Sequence, residues 1–116
     1  MKILSPRAHG YLDVLAVIGF LAGPRILEFE GTPATIAYAL GGLHMLVTLA
    51  TDFPFGVAKV LPMPLHGLIE FAVSILLFAM PWIAGFAEVE PARCFFLGAG
   101  AFVLLAFLIT DYTRGR

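Results

Sequence analysis

Charge is scarce in this chain. Only 13% of its 116 residues are Asp, Glu, Lys or Arg, seven basic against eight acidic. That is too little to cover the surface of a soluble domain of this size, and a soluble enzyme domain is excluded with it. A formal net charge of −1 offers no basic field, so nucleic acid is excluded as a partner. With one cysteine, Cys94, no internal disulfide can form. A lone thiol beside Arg93 reads as packing rather than chemistry. The sequence also lacks Cys-x2-Cys-His, His-Glu-x2-His and a glycine-rich phosphate loop, the patterns of haem attachment, zinc proteases and nucleotide binding. No serine or cysteine stands beside a base as a nucleophile would, so no catalytic residue is assigned and enzymatic activity is not expected.

What fills the chain instead is apolar: 60% hydrophobic residues and a mean hydropathy of +0.96. Pro6, Pro33, Pro64 and Pro91 each stand just ahead of a long apolar run, where a helix tolerates proline because its first amides have no partner. Ser5, Thr32 and Glu90 are suitable N-caps. The expected helices are 6–27, 33–52, 64–86 and 91–112. At about 1.5 Å per residue each approaches or exceeds a hydrocarbon core of ~30 Å. The expected fold is all-α: a polytopic membrane protein, one membrane domain of four transmembrane helices forming a four-helix bundle. An uncleaved first segment is expected, because Asp13 interrupts the apolar run and no small-x-small site follows.

Orientation follows from the cations. Lys2, Arg7, Lys59, Arg114 and Arg116 fall on the side of both termini, Arg25 and Arg93 on the other, which favours cytoplasmic termini in a bacterial inner membrane. Tyr11, Phe53, Phe55 and Tyr112 form one expected aromatic belt, and Phe29, Trp82 and Phe86 the other. Besides the lipid bilayer, the expected partners are a second copy of the chain or a larger membrane complex, since the chain is small and rich in glycine.

The second half echoes the first. His9-Gly10-Tyr11-Leu12-Asp13 aligns with His66-Gly67-Leu68-Ile69-Glu70, Pro24 with Pro81, Phe29 with Phe86, and Thr51-Asp52-Phe53 with Thr110-Asp111-Tyr112. The pattern reads as an internal duplication of a helical hairpin, repeat 1 over 6–53, a loop over 54–63 and repeat 2 over 64–112. Two crossings per unit make the repeats parallel, unlike the inverted repeats of many transporters. The stretch Ala79-Met80-Pro81-Trp82-Ile83-Ala84-Gly85-Phe86 resembles the signature of SPW-repeat membrane proteins, although neither copy has the serine and Arg25 replaces the tryptophan in the first. That resemblance implies a small integral membrane architecture and brings no catalytic residues with it. Pro24, Pro81 and Trp82 form an expected helix-kink motif. Gly41-Gly42 and Gly98-x-Gly100 are expected to let helices approach closely.

A few titratable groups remain inside the spans, where a central charge costs about 2.5–3.5 kcal/mol on insertion scales. His9 and Asp13, like His66 and Glu70, are four residues apart and share a helix face. Asp52 and Asp111 close helices 2 and 4, against the helix dipole, and call for cationic or donor partners. The expected result is a polar layer near the cytoplasmic side made of His9, Asp13, Asp52, His66, Glu70 and Asp111, with His44 beneath it. His44 has no histidine counterpart, since Val103 stands at the equivalent place. The favoured role is structural or accessory, a layer that fixes helix packing, with no cofactor. Two alternatives stay open: a proton- or ion-coupled transporter or channel subunit using Asp13 and Glu70, and a haem or transition-metal site using His9, His66 and His44.

Overall fold

In the computed structural model, residues 2–112 are described, and they form four α-helices with no strand. These are α1 (Pro6–Ile26), α2 (Thr32–Ala50), α3 (Met63–Ile83) and α4 (Glu90–Ile109). Each helix carries proline in its first turn, as the sequence predicts. Ser5 caps α1, its hydroxyl accepting the Ala8 amide at 3.2 Å. The other two expected caps differ. Thr32 lies inside α2 and the cap is Gly31, whose φ of 75° is left-handed and suits a residue without Cβ. Glu90 lies in the first turn of α4, its charge at the favourable dipole end, and Val89 is the cap.

The helices stop earlier than the apolar pattern predicts, and the prolines explain two of the endings. Expected as kinks, Pro24 and Pro81 sit in the last turn of α1 and α3, so no length of helix remains beyond them to bend. Their carbonyls accept the exit bonds, from Phe29 N–H at 2.9 Å and from Phe86 N–H at 2.8 Å. The residues just before those donors, Glu28 and Gly85, are left-handed with φ of 57° and 79°. This is the Schellman closure, made once at each helix end.

The two hairpins, α1–α2 and α3–α4, pack tightly within themselves and touch more lightly through α1–α4 and α2–α3. Their open ends are tied crosswise. Ile3 and Leu4, ahead of α1, donate to Ile109 O, and Asp111 N–H donates to Leu4 O, each at 2.8 Å. Val60 and Leu61, ahead of α3, donate to Ala50 O at 2.8 Å, and Asp52 N–H donates to Leu61 O at 2.7 Å. The segment leading into each hairpin therefore bonds the exit of the other. Gly41 faces Phe20 and Leu21 of α1, and Gly100 faces Phe78 of α3, while Gly42 and Gly98 look onto open space.

Polarity is inverted relative to a soluble domain. An apolar core of Phe20, Phe29, Leu77, Phe86, Phe96 and Val103 fills one half of the bundle. Buried histidines, carboxylates and threonines fill the other. The outside is apolar, with Leu15, Leu46, Leu68 and Leu105 all more than half exposed, a surface suited to lipid. Helices α2, α3 and α4 are each long and apolar enough to cross a membrane. α1 equals α3 in length but falls short of that apolarity, diluted by Arg7, His9, Asp13 and Arg25. The aromatic belts are incomplete: Tyr11 and Trp82 are exposed, but Phe29, Phe53 and Phe86 are buried as packing residues.

One glycine has no room for a side chain. A Cβ at Gly56 would overlap the carbonyl oxygen of Thr51, which is backbone and cannot swing aside. Gly56→Ala should lower stability by about 1–3 kcal/mol. Gly98→Ala, inside α4 and with nothing within 4 Å of its Cβ, should not lower the midpoint in thermal unfolding of the detergent-solubilised protein, since alanine is the better helix former.

Candidate functional site

The i, i+4 pairs His9/Asp13 on α1 and His66/Glu70 on α3 turn toward one another inside the bundle, and α2 adds His44. His9 and His66 are fully buried, Asp13 and Glu70 are 1% and 4% exposed. His9 Nε2 lies 3.2 Å from Asp13 Oδ1 and 2.8 Å from Glu70 Oε1. His66 Nε2 lies 3.3 Å from both Asp13 Oδ2 and Glu70 Oε2. His44 Nε2 is 2.9 Å from Asp13 Oδ1 and 3.4 Å from Glu70 Oε2. Three imidazole nitrogens and two carboxylates thus converge on one point.

The far side of each paired imidazole is held by a threonine from the opposite hairpin. His9 Nδ1 meets Thr110 Oγ1 at 2.8 Å, and His66 Nδ1 meets Thr51 Oγ1 at 2.8 Å. Each threonine already donates its only hydroxyl proton, Thr110 to Ala106 O and Thr51 to Val47 O, both at 2.6 Å. A hydroxyl whose proton is so engaged can only accept. Both imidazoles therefore carry a proton on Nδ1, and both aim Nε2 at the carboxylates. Rings from the other hairpin flank them as well, Tyr112 against His9 at 5.4 Å between centroids and Phe53 against His66 at 5.8 Å.

With Nδ1 protonated, a neutral imidazole presents a bare lone pair to carboxylate oxygens, which repel it. Either a second proton on each ring or a shared cation removes the repulsion. Short as the separations are, Nε2 of His9, Nε2 of His66 and Oδ2 of Asp13 are buried and make no hydrogen bond of acceptable angle. His44 behaves differently. Its Nε2–H makes a well-formed bond to Asp13 Oδ1.

Asp52 and Asp111 are half-buried just beyond the caps Thr51 and Thr110, with backbone amides on Leu61 and Leu4. The histidine ion pairs run instead to Asp13 and Glu70. In each aligned triplet the threonine hydroxyl bonds a histidine of the other hairpin and the aromatic ring packs beside the same imidazole. Tyr112, expected in a belt, donates its hydroxyl to Glu70 Oε1 at 3.1 Å, and Gly67 makes space for its ring. The one signal for these supports in the sequence is the repeat that sets Thr51 opposite Thr110. Compared with protein-family models, curated proteins and solved structures, the chain matches none.

Burial, with the charge of Glu70 nearby, holds the Tyr112 phenol well above its ordinary range. Below about pH 10, the ordinary tyrosine value, folded and unfolded chains both keep this proton and stability is flat in pH on its account. Above it only the unfolded chain loses the proton, so stability should fall as pH rises. Tyr112→Phe should remove that part of the alkaline slope in melts recorded across the range.

Proposed function

We propose that this chain is a small integral membrane protein in which a buried histidine–carboxylate clasp fastens two helical hairpins, and that it serves a structural or accessory role in lipid rather than an enzymatic one. The crosswise threonine–histidine pair carries this reading. Each hairpin supplies the histidine that the other hairpin's threonine orients, so neither completes its own polar core. Buried polar contacts in membranes average under 1 kcal/mol, which suits a device for register more than for bulk stability.

The same matching of contacts supports a tandem duplication, because His9 and His66, Thr51 and Thr110, and Pro24 and Pro81 play paired parts. The SPW-type architecture is proposed with it. α1 is proposed as a fourth crossing, since it packs along α2, buries His9 and Asp13, and leaves its exposed cations Arg7 and Arg25 in its first and last turns. The excess of Lys and Arg at the termini and at Lys59 favours cytoplasmic termini in an inner membrane. An open groove of about 320 Å³ between α1 and α4, floored by Gly19, Gly98 and Ala99, favours self-association through this face.

Against an ion conduit stands the sealing of Asp13 and Glu70, since a relaying carboxylate must meet water in its cycle. Against haem stands the space between His9 and His66, filled by the two carboxylates where a macrocycle would need a flat slot.

Thermal unfolding in detergent tests the clasp. Thr51→Val and Thr110→Val should each cost about 1 kcal/mol, and the double variant should fall short of the sum because the pair belongs to one network. Unchanged midpoints in all three would refute it. Proteoliposomes of the wild type should pass protons no faster than empty vesicles.

A further inference from the structure

We propose that the clasp is also a metal centre, binding one divalent first-row transition ion through His9 Nε2, His66 Nε2 and one oxygen each of Asp13 and Glu70. The inference goes beyond fastening and rests on where these atoms point. One ligand atom from each of the four residues lies within 4.8 Å of all the others, and all four residues are buried. In a tetrahedral site with bonds of roughly 2.1 Å the ligand atoms stand about 3.4 Å apart. Each imidazole nitrogen lies close to that spacing from one oxygen of each carboxylate, His9 Nε2 at 3.2 and 2.8 Å from Asp13 Oδ1 and Glu70 Oε1 and His66 Nε2 at 3.3 Å from Asp13 Oδ2 and Glu70 Oε2, so a small carboxylate rotation brings one oxygen of each onto a shared ion. A proton on either Nε2 would lie on the ring axis, and along that axis neither carboxylate oxygen sits at a hydrogen-bonding angle. Both nitrogens stand close to the carboxylates without bonding to them, as ligands to a shared cation would.

Each of the four ligands has one outer support, and together the supports come from three regions of the chain. Thr110 holds His9, Thr51 holds His66, His44 donates to Asp13, and Tyr112 donates to Glu70. Such partners fix the tautomer and orientation of metal ligands and are a regular part of metal sites.

Charge and ligand type narrow the ion. Asp13 and Glu70 bring two negative charges into a buried site, so a divalent ion leaves it neutral, whereas a monovalent or trivalent ion leaves a net charge there. Two imidazoles with two carboxylates suit zinc, cobalt, manganese or ferrous iron over calcium or magnesium, which prefer oxygen alone. No thiolate is near to favour Cu(I), since Cys94 is exposed on α4.

The test uses the full chain, untagged, in detergent or nanodiscs, equilibrated separately with Zn²⁺, Co²⁺ and Mn²⁺ and desalted. The expected result is one equivalent of metal per chain for at least one ion, with visible cobalt bands of low coordination number and a raised thermal midpoint. Thr51→Val and Thr110→Val should remain folded by circular dichroism and bind roughly 10–100-fold more weakly. His66→Cys should add a thiolate-to-cobalt charge-transfer band, a gained signal that a misfolded variant does not give. Folded wild type that retains none of the three ions overturns the metal proposal and leaves the clasp standing. Retention of the same metal by an Asp13→Asn/Glu70→Gln double variant also overturns it. A threonine series that changes metal affinity but not the metal-free midpoint refutes the clasp and keeps the metal.

Discussion

Thr51 and Thr110 each have a single hydroxyl proton, and each gives it to the carbonyl one turn back in its own helix. That local bond is among the commonest a threonine can make. Its consequence lies across the bundle, because the oxygen left behind can only accept. The imidazole it meets must place a proton on Nδ1 and direct Nε2 toward the carboxylates. Had either hydroxyl been free to rotate, the same side chains at the same distances would not determine which face of the ring is bare.

Burying such a group requires a surround that returns something. The bundle does so by reversing the usual arrangement: imidazoles, carboxylates and hydroxyls gather inside, and leucines and isoleucines face outward. In water that surface would aggregate; in a hydrocarbon solvent it costs nothing, and the interior polar contacts become the features that distinguish one packing of the helices from another. Small residues matter for the same reason. Gly41 and Gly100 bring α2 onto α1 and α4 onto α3 at equivalent points, closing the distance over which the polar side chains must reach.

Much of this was legible before any coordinates. The four prolines announced the four helices, and the i, i+4 spacing of His9/Asp13 and His66/Glu70 put each pair on one face. His44 was visible as the member without a twin, and it is the one whose Nε2 makes an ordinary hydrogen bond. What the sequence could not show was where chain direction changes. The apolar run continues past Ile83, so the pattern alone extends α3, whereas the left-handed Gly85 ends it, and the extended Thr110 ends α4 short of Tyr112. That shift of a few residues moves Tyr112 from a lipid-facing belt to a hydrogen bond with Glu70. The threonine of each triplet gains a role in the same way, because only tertiary pairing brings its hydroxyl against a histidine of the other hairpin.

The crosswise stitching at the open ends has a consequence for assembly. Leu4 bonds the far exit and Leu61 bonds the near one, so each hairpin is the template on which the other is completed. Two separate hairpins would have to find each other by diffusion in the plane of the bilayer, at a rate set by their abundance. Joined through residues 51–62, they meet at a fixed high effective concentration. Pairing then becomes independent of expression level, and the first hairpin to insert waits for a mate that is already tethered to it.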